Sequence, residues 1–167
     1  MSIHCAVQSA CVCALRGAHT TSLPILSRES QKVYSAWING TRESFGKEKL
    51  KLASFPELYK RVRNQSVLRN PHTLPSFKNR DLDIDILNEV IRNTFQHFGD
   101  DSLSLEISGL PRIARSACEI VEHLAITHRT MNFRLTSEQH KSIVESLGVV
   151  RQRMATVDNE TSSSSNA

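Results

Sequence analysis

The chain has 167 residues, of which 39% are hydrophobic and 23% charged, and its formal net charge is +4. That length supports one domain with a real core plus appendages. No apolar run approaches the roughly 20 residues a membrane-spanning helix needs, and six Gly and five Pro exclude a Gly-rich or Pro-rich low-complexity chain.

Residues 1–28 hold Arg16 and Arg28 but no acid, with Ile3, Val7, Cys11, Ala14 and Leu15 at helical spacing. An Arg-bearing, acid-free start fits a mitochondrial-type presequence of an intracellular protein, or else a flexible terminus. Cys5, Cys11 and Cys13 crowd together while Cys118 stands alone, which is no disulfide framework. The C-x5-C-x-C spacing beside His4 departs from zinc-binding forms, so no metal is expected.

"SQKVYSAWI" (residues 30–38) predicts a short helix or extended piece. "NGTRESFGKEKLK" imitates a phosphate-binding loop and fails. Five residues rather than four separate Gly40 from Gly46, and Glu48 stands after Lys47 where a magnesium-binding hydroxyl is required. "SFPELYKRVRNQSVL" opens as a helix, with Ser54 and Glu57 spaced as a capping box and Pro56 in the first turn. Leu58 and Val62 face a core there, and Lys60, Arg61 and Arg63 crowd the rest. "RNPHTLPSFKNR", with two prolines and no periodicity, reads as a linker.

"DLDIDILNEVIRNTFQHFG" carries Ile84, Leu87, Val90, Ile91, Phe95 and Phe98 on a helical stripe that Asp81, Asp83 or Asp85 can cap and Gly99 can end. "DDSLSLEI" alternates as a short extended piece. Ser108 then caps a long helix over "SGLPRIARSACEIVEHLAITHR", whose stripe is Ile113, Ala117, Cys118, Val121, Leu124 and Ala125. Thr136 with Gln139 caps a last short helix, with Ile143, Val144 and Leu147 inward and a stop at Gly148. The polar tail after it reads as disordered.

Charge is unevenly spread. Residues 41–80 carry ten Lys/Arg against three Glu, and residues 81–110 carry one Arg against seven acids. Such blocks either pair within the fold or present two faces to different partners. Clustered Lys/Arg is all that phosphate attraction needs. The candidate nucleic-acid contacts are therefore Lys47, Lys49, Lys51, Lys60, Arg61, Arg63 and Arg69. Sparse aromatics weaken any single-strand binding model built on stacked bases.

No catalytic constellation stands out. His123 and His128 are five apart, not the four that places two ligands on one helix face, and Cys118 with Glu122 makes only two ligands. Neither an enzyme nor a cofactor is expected.

Two resemblances follow from the second half. "SGLPRIARSACEIVEHLAITHRTMNFRLTSEQHKSIVES" resembles the helical lid of AAA+ ATPases: a Pro-Arg start, a long helix, a basic turn and Leu-Thr opening the last helix. That resemblance implies Arg112 as an arginine sensing a nucleotide's terminal phosphate, on a partner chain's nucleotide because this chain has no phosphate loop. The short-long-short helix order with "RLT" before the last helix resembles a histone fold, which implies obligate pairing.

The reading is an all-α fold: a small helical bundle whose short-long-short core occupies 81–150. A basic helical arm and linker (29–80) precede it, and flexible or targeting residues 1–28 and a disordered tail (151–167) end it. The expected function is a non-enzymatic protein-interaction module in a nucleic-acid-associated assembly, binding a protein partner or its own copies and nucleic acid without sequence preference, with no membrane role. The alternatives are an AAA+ lid-like module acting with an ATPase, and a helical virus coat subunit.

Overall fold

The computed structural model describes residues 3–21, 23–42, 49–68, 78–92, 109–127 and 135–164, with backbone alone for 78, 90–92 and 158–164. The described residues are all-α with no named strand, as expected. In order they form α1 (Ile3–Gly17), a 3-10 turn (Leu23–Ile25), α2 (Arg28–Ile38), α3 (Phe55–Val62) and α4 (Gln65–Leu68). There follow α5 (Lys78–Ile86), continued by a π-helical stretch (Leu87–Arg92), then α6 (Leu110–Glu122), continued likewise (His123–Thr127), and α7 (Ser137–Ser164).

The N-terminal stripe has a different role from the one its composition suggested. Val7, Cys11, Ala14 and Leu15 are fully buried, and Ala10 nearly so. The helix they form packs on α3, α4 and α6 and on both π-helical stretches. Residues 3–17 are thus the central helix of the bundle rather than a flexible segment. Alanines at positions 10 and 14 let neighbouring backbones come close, and the larger side chains fill the space between. Each fully buried Val or Leu contributes roughly 1.5–3 kcal/mol. The core is accordingly shared between the two halves: Phe55, Leu58, Val62 and Leu68 of the basic arm join Ile84, Leu87, Ile113, Ile120 and Leu124 in one cluster. The 81–150 segment therefore buries its stripes against α1 and α3, not against itself alone.

Local chemistry sets the helix ends. Ser27 Oγ accepts the Ser30 amide at 3.2 Å and starts α2. Gly40, at φ 69°, ends it in a Schellman arrangement, with the Gly40 amide on the Trp37 carbonyl and the Thr41 amide on the Ala36 carbonyl. The glycine of the false phosphate loop is thus a helix terminator. The Ser54 box does not close, because Glu57 turns to Arg61 at 3.2 Å instead. The Thr136 box does close: Thr136 Oγ1 accepts the Gln139 amide at 3.2 Å and Gln139 Oε1 accepts the Thr136 amide at 2.9 Å. α5 starts a turn earlier than its aspartates suggested, so they lie within the helix. α7 runs through Gly148 to Ser164, because Leu147 and Met154 bury against α6 and carry the helix past the glycine. Val144, expected inward, is 47% exposed. The expected caps at Ser108 and Gly99, the extended piece and the end of the long helix at 128–129 lie outside the described residues. No helix among the described residues is long and apolar enough to cross a membrane.

Burial pushes the Cys11 thiol up to about 12 and raises that of Cys118 as well. A thiol whose folded pKa lies above its unfolded value holds its proton longer in the native state. Its stabilising contribution is complete below the ordinary thiol range (~8.5) and is lost as pH rises through the folded value. We predict that native protein exposed to iodoacetamide at mildly alkaline pH alkylates at Cys5 and Cys13, which are exposed, while Cys11 and Cys118 react only in denaturant. Equal rates at Cys5 and Cys11 would contradict a docked α1.

Candidate nucleic-acid interface

Much of the charge asymmetry resolves inside the bundle. The acid-rich start of α5 faces basic residues of α3 and α6. Asp81 takes Arg63 at 3.0 Å and the Tyr59 hydroxyl at 3.0 Å, and the Arg63 guanidinium lies 5.5 Å over the Tyr59 ring. Burial and the bond to Asp81 push the Tyr59 phenol well above its ordinary range. Arg80 pairs with Glu119 at 2.6 Å. Asp83, 1% exposed, accepts the Ser116 hydroxyl at 2.6 Å on one oxygen, and its other oxygen lies 2.9 Å from Arg112 Nη2. That second contact is an ion pair rather than a directed hydrogen bond, since the oxygen has no hydrogen-bond partner.

Arg61 is spent likewise. It is 8% exposed, donates to the Pro24 and Leu26 carbonyls at 2.7 Å each and pairs with Glu57. The fork of a guanidinium suits this task, reaching two carbonyls and a carboxylate at once. Arg61 therefore ties α3 to the 3-10 turn and α2's start.

Two uncompensated cations, Arg28 and Lys60, lie near that tie. A cleft of about 530 Å³ opens between the 3-10 turn, α2 and the α3–α4 corner, within the range of ligand sites. Arg28, Gln31 and Ser35 line it from one face of α2, being three and four residues apart. Lys60 enters from α3 and Asn64 from the corner. Gln31 Nε2 donates to the Leu23 carbonyl at 2.8 Å, and Asn64 Oδ1 accepts the Ser66 amide at 3.0 Å, so both walls are braced. His19 Nε2 donates to the Val67 carbonyl and fastens the end of α1 to α4. Arg28 and Lys60 are exposed and have no carboxylate partner among the described residues, and Glu57, the one acid on the lining, is taken by Arg61. The arrangement can hold an anion.

The candidate contacts thus separate. Lys49, Lys51 and Lys60 are exposed cations. Arg61 is internal and Arg63 is held by Asp81. Lys47 and Arg69 lie outside the described residues. Arg112, 49% exposed, is engaged by Asp83. Arg28 and Gln31 were missed because they belong to a different segment, brought to the cleft only when the chain returns as α3. No cluster of three metal-ligating side chains occurs among the described residues.

A second cavity, about 330 Å³ and almost wholly apolar, lies between α1, α6 and α7, where Ile3, Ala6, Cys118, Val121, Ile143 and Val150 meet. Arg151 of α7 forks onto Glu122 of α6 at 2.6 and 3.1 Å, and that bond holds the Glu122 carboxyl below its usual range.

Comparison with protein-family models, with curated proteins and with solved structures finds no match.

Replacing Arg112 with Ala strips a buried carboxylate of its counter-charge, whereas replacing Asp83 with Ala strands Arg112 and Ser116. Arg112→Ala should cost about 1–3 kcal/mol in urea unfolding, and Asp83→Asn, which keeps a partner for Ser116, should cost less than Asp83→Ala. Unchanged unfolding midpoints for all three would show the pair to be structurally idle.

Proposed function

We propose that this protein is a non-enzymatic helical interaction module that holds a nucleic-acid backbone on its basic side and contacts a protein partner elsewhere. The observation that carries the reading is a set of exposed cations without a carboxylate partner among the described residues: Arg28 and Lys60 on a cleft whose sole acid is paired with Arg61, and Lys49 and Lys51 on the segment that precedes α3. Arg61 and Arg63 of that region are held within the fold, whereas these four face solvent. Phosphates attract such a group without reading sequence, because base discrimination needs directed contacts in a groove. The apolar cavity bounded by α1, α6 and α7 supports the protein-contact part of the reading.

The ATPase-linked alternative rests on a free Arg112. Arg112 pairs with Asp83 at 2.9 Å while half-exposed, and loss of a partner's ATP hydrolysis in Arg112→Ala without loss of folding is the result that would favour this alternative.

The test is binding of a labelled oligonucleotide across a salt series. Wild-type affinity should fall steeply with salt. Charge reversal at Lys49, Lys51 and Lys60 together should lower the slope of log affinity against log salt by about 3, roughly one for each phosphate no longer neutralised. Indifference of the full chain to DNA, RNA and heparin at low salt would remove the nucleic-acid part.

A further inference from the structure

α1 buries one side and leaves a narrow stripe of the other in solvent: Cys5, Ser9, Cys13 and Arg16 are exposed. At 3.6 residues per turn, Cys5 and Cys13 flank Ser9 symmetrically, each about 40° round the helix and about 6 Å along it in opposite directions. The two thiols of one chain therefore cannot join. Their Cα atoms are about 12 Å apart along the axis, and a disulfide tolerates at most about 7 Å. Cys11 and Cys118 are buried in the apolar clusters and take no part.

That symmetry is the one a two-fold axis requires of a self-complementary surface. Two copies of α1 set antiparallel, with the axis through Ser9, bring Cys5 of each copy to the height and angle of Cys13 of the other. Cα atoms lie about 2.3 Å from a helix axis. With helices packed about 8–10 Å apart, Cα atoms facing at this angle are about 4.5–6.5 Å apart, inside the disulfide range. Ser9, at the crossing, is small enough to allow that approach. Charge selects the same arrangement, because the stripe carries Arg16 and no acid. Antiparallel pairing sets the two Arg16 about 21 Å apart along the axis, more than two Debye lengths at physiological salt. A parallel pair would set them face to face.

We infer that the exposed stripe of α1 is an interface for a second copy of this chain, closed by two disulfides that each join Cys5 of one copy to Cys13 of the other. The stripe is short and holds no large apolar side chain, far from the roughly 1,200–2,000 Å² of a stable interface. The copies therefore stay together through the sulfurs, as a monomer when reduced and a dimer when oxidised. The oxidant is a low-molecular-weight disulfide such as oxidised glutathione. The Cys13 thiolate attacks it and releases one glutathione thiolate. The Cys5 thiolate of the second copy then attacks the Cys13 sulfur of that mixed disulfide and releases the other. Each protein disulfide thus consumes one oxidised glutathione and yields two reduced ones, which carry away the two thiol protons. The inference stands apart from the nucleic-acid reading.

The test equilibrates the full chain in buffers of rising oxidised-to-reduced glutathione ratio and then alkylates it in denaturant. Non-reducing electrophoresis and tandem mass spectrometry read the products. A dimer whose cross-links join Cys5 to Cys13 is expected, returning to monomer in dithiothreitol. Cys5→Ser alone should abolish the dimer, and so should Cys13→Ser alone. Each leaves one thiol per copy, about 12 Å along the axis from its twin. Mixing the two variants should restore a dimer held by a single disulfide. Should either variant fail to fold, the cross-link map of the wild type still decides. Cross-links of Cys5 to Cys5 or of Cys13 to Cys13, a dimer that survives in either single variant, or glutathione adducts on a chain that stays monomeric would each overturn the inference.

Discussion

Burial of the α1 stripe is the constraint on which the other contacts rest. Val7, Cys11, Ala14 and Leu15 sit at the centre of a cluster to which α3, α4, α5 and α6 all contribute. None of these helices has another common neighbour of similar extent among the described residues. α3 turns Leu58 and Val62 towards it, and α6 turns Ile113, Ala117 and Ile120 the same way. With α1 in place the basic arm and the second half of the chain become two sides of one core. The cleft inherits its geometry from that arrangement, since His19, just past α1, is bonded to the α4 carbonyl that closes the corner.

Around this apolar centre the polar seams decide which charges are left to act. Asp81, Asp83 and Glu119 are answered by Arg63, Arg112 and Arg80, and Arg61 is turned inwards to carbonyls. A buried carboxylate needs such partners, because desolvating an unpaired ion costs several kcal/mol. The seams fix the angle between α5 and α6 and between α3 and the 3-10 turn. They also engage Arg61, Arg63, Arg80 and Arg112, which leaves Arg28, Lys49, Lys51 and Lys60 as exposed cations around α2 and α3. Lysine is a compact, strongly hydrated point charge, suited to phosphate attraction without directional demand.

The sequence was readable where periodicity is long and local signals agree. The all-α character, the stripe through Ile113, Ala117 and Leu124, and the Thr136 cap are all visible in it. Three features were not. The acid-free N-terminus has the composition of a targeting segment, and composition carries no information about burial; only the four-residue spacing of Ile3, Val7, Cys11 and Leu15 pointed to a core helix. The helix through Gly148 depends on Leu147 and Met154 finding α6, a tertiary contact that outweighs one glycine's cost of roughly 1 kcal/mol. The partition of the arginines depends on which carbonyls and carboxylates lie within reach after folding. Lys60 and Arg61 are neighbours of like charge, yet one faces solvent and the other is buried. Arg28 had no signal as a site residue, because it gains its setting from residues more than ten positions away.

Core, seams and cleft all require α1 as the keystone, and truncation tests that role most directly. A chain lacking residues 1–21 would be compared with the full chain by thermal unfolding followed with circular dichroism, and by binding of an apolar dye. Truncation is expected to abolish the cooperative transition and expose dye-binding surface, since Leu58, Ile113 and Leu124 lose the helix they pack on. A truncated chain that unfolds cooperatively at the midpoint of the full chain, without added dye binding, would contradict the keystone role and return residues 1–21 to the status of a dispensable leader.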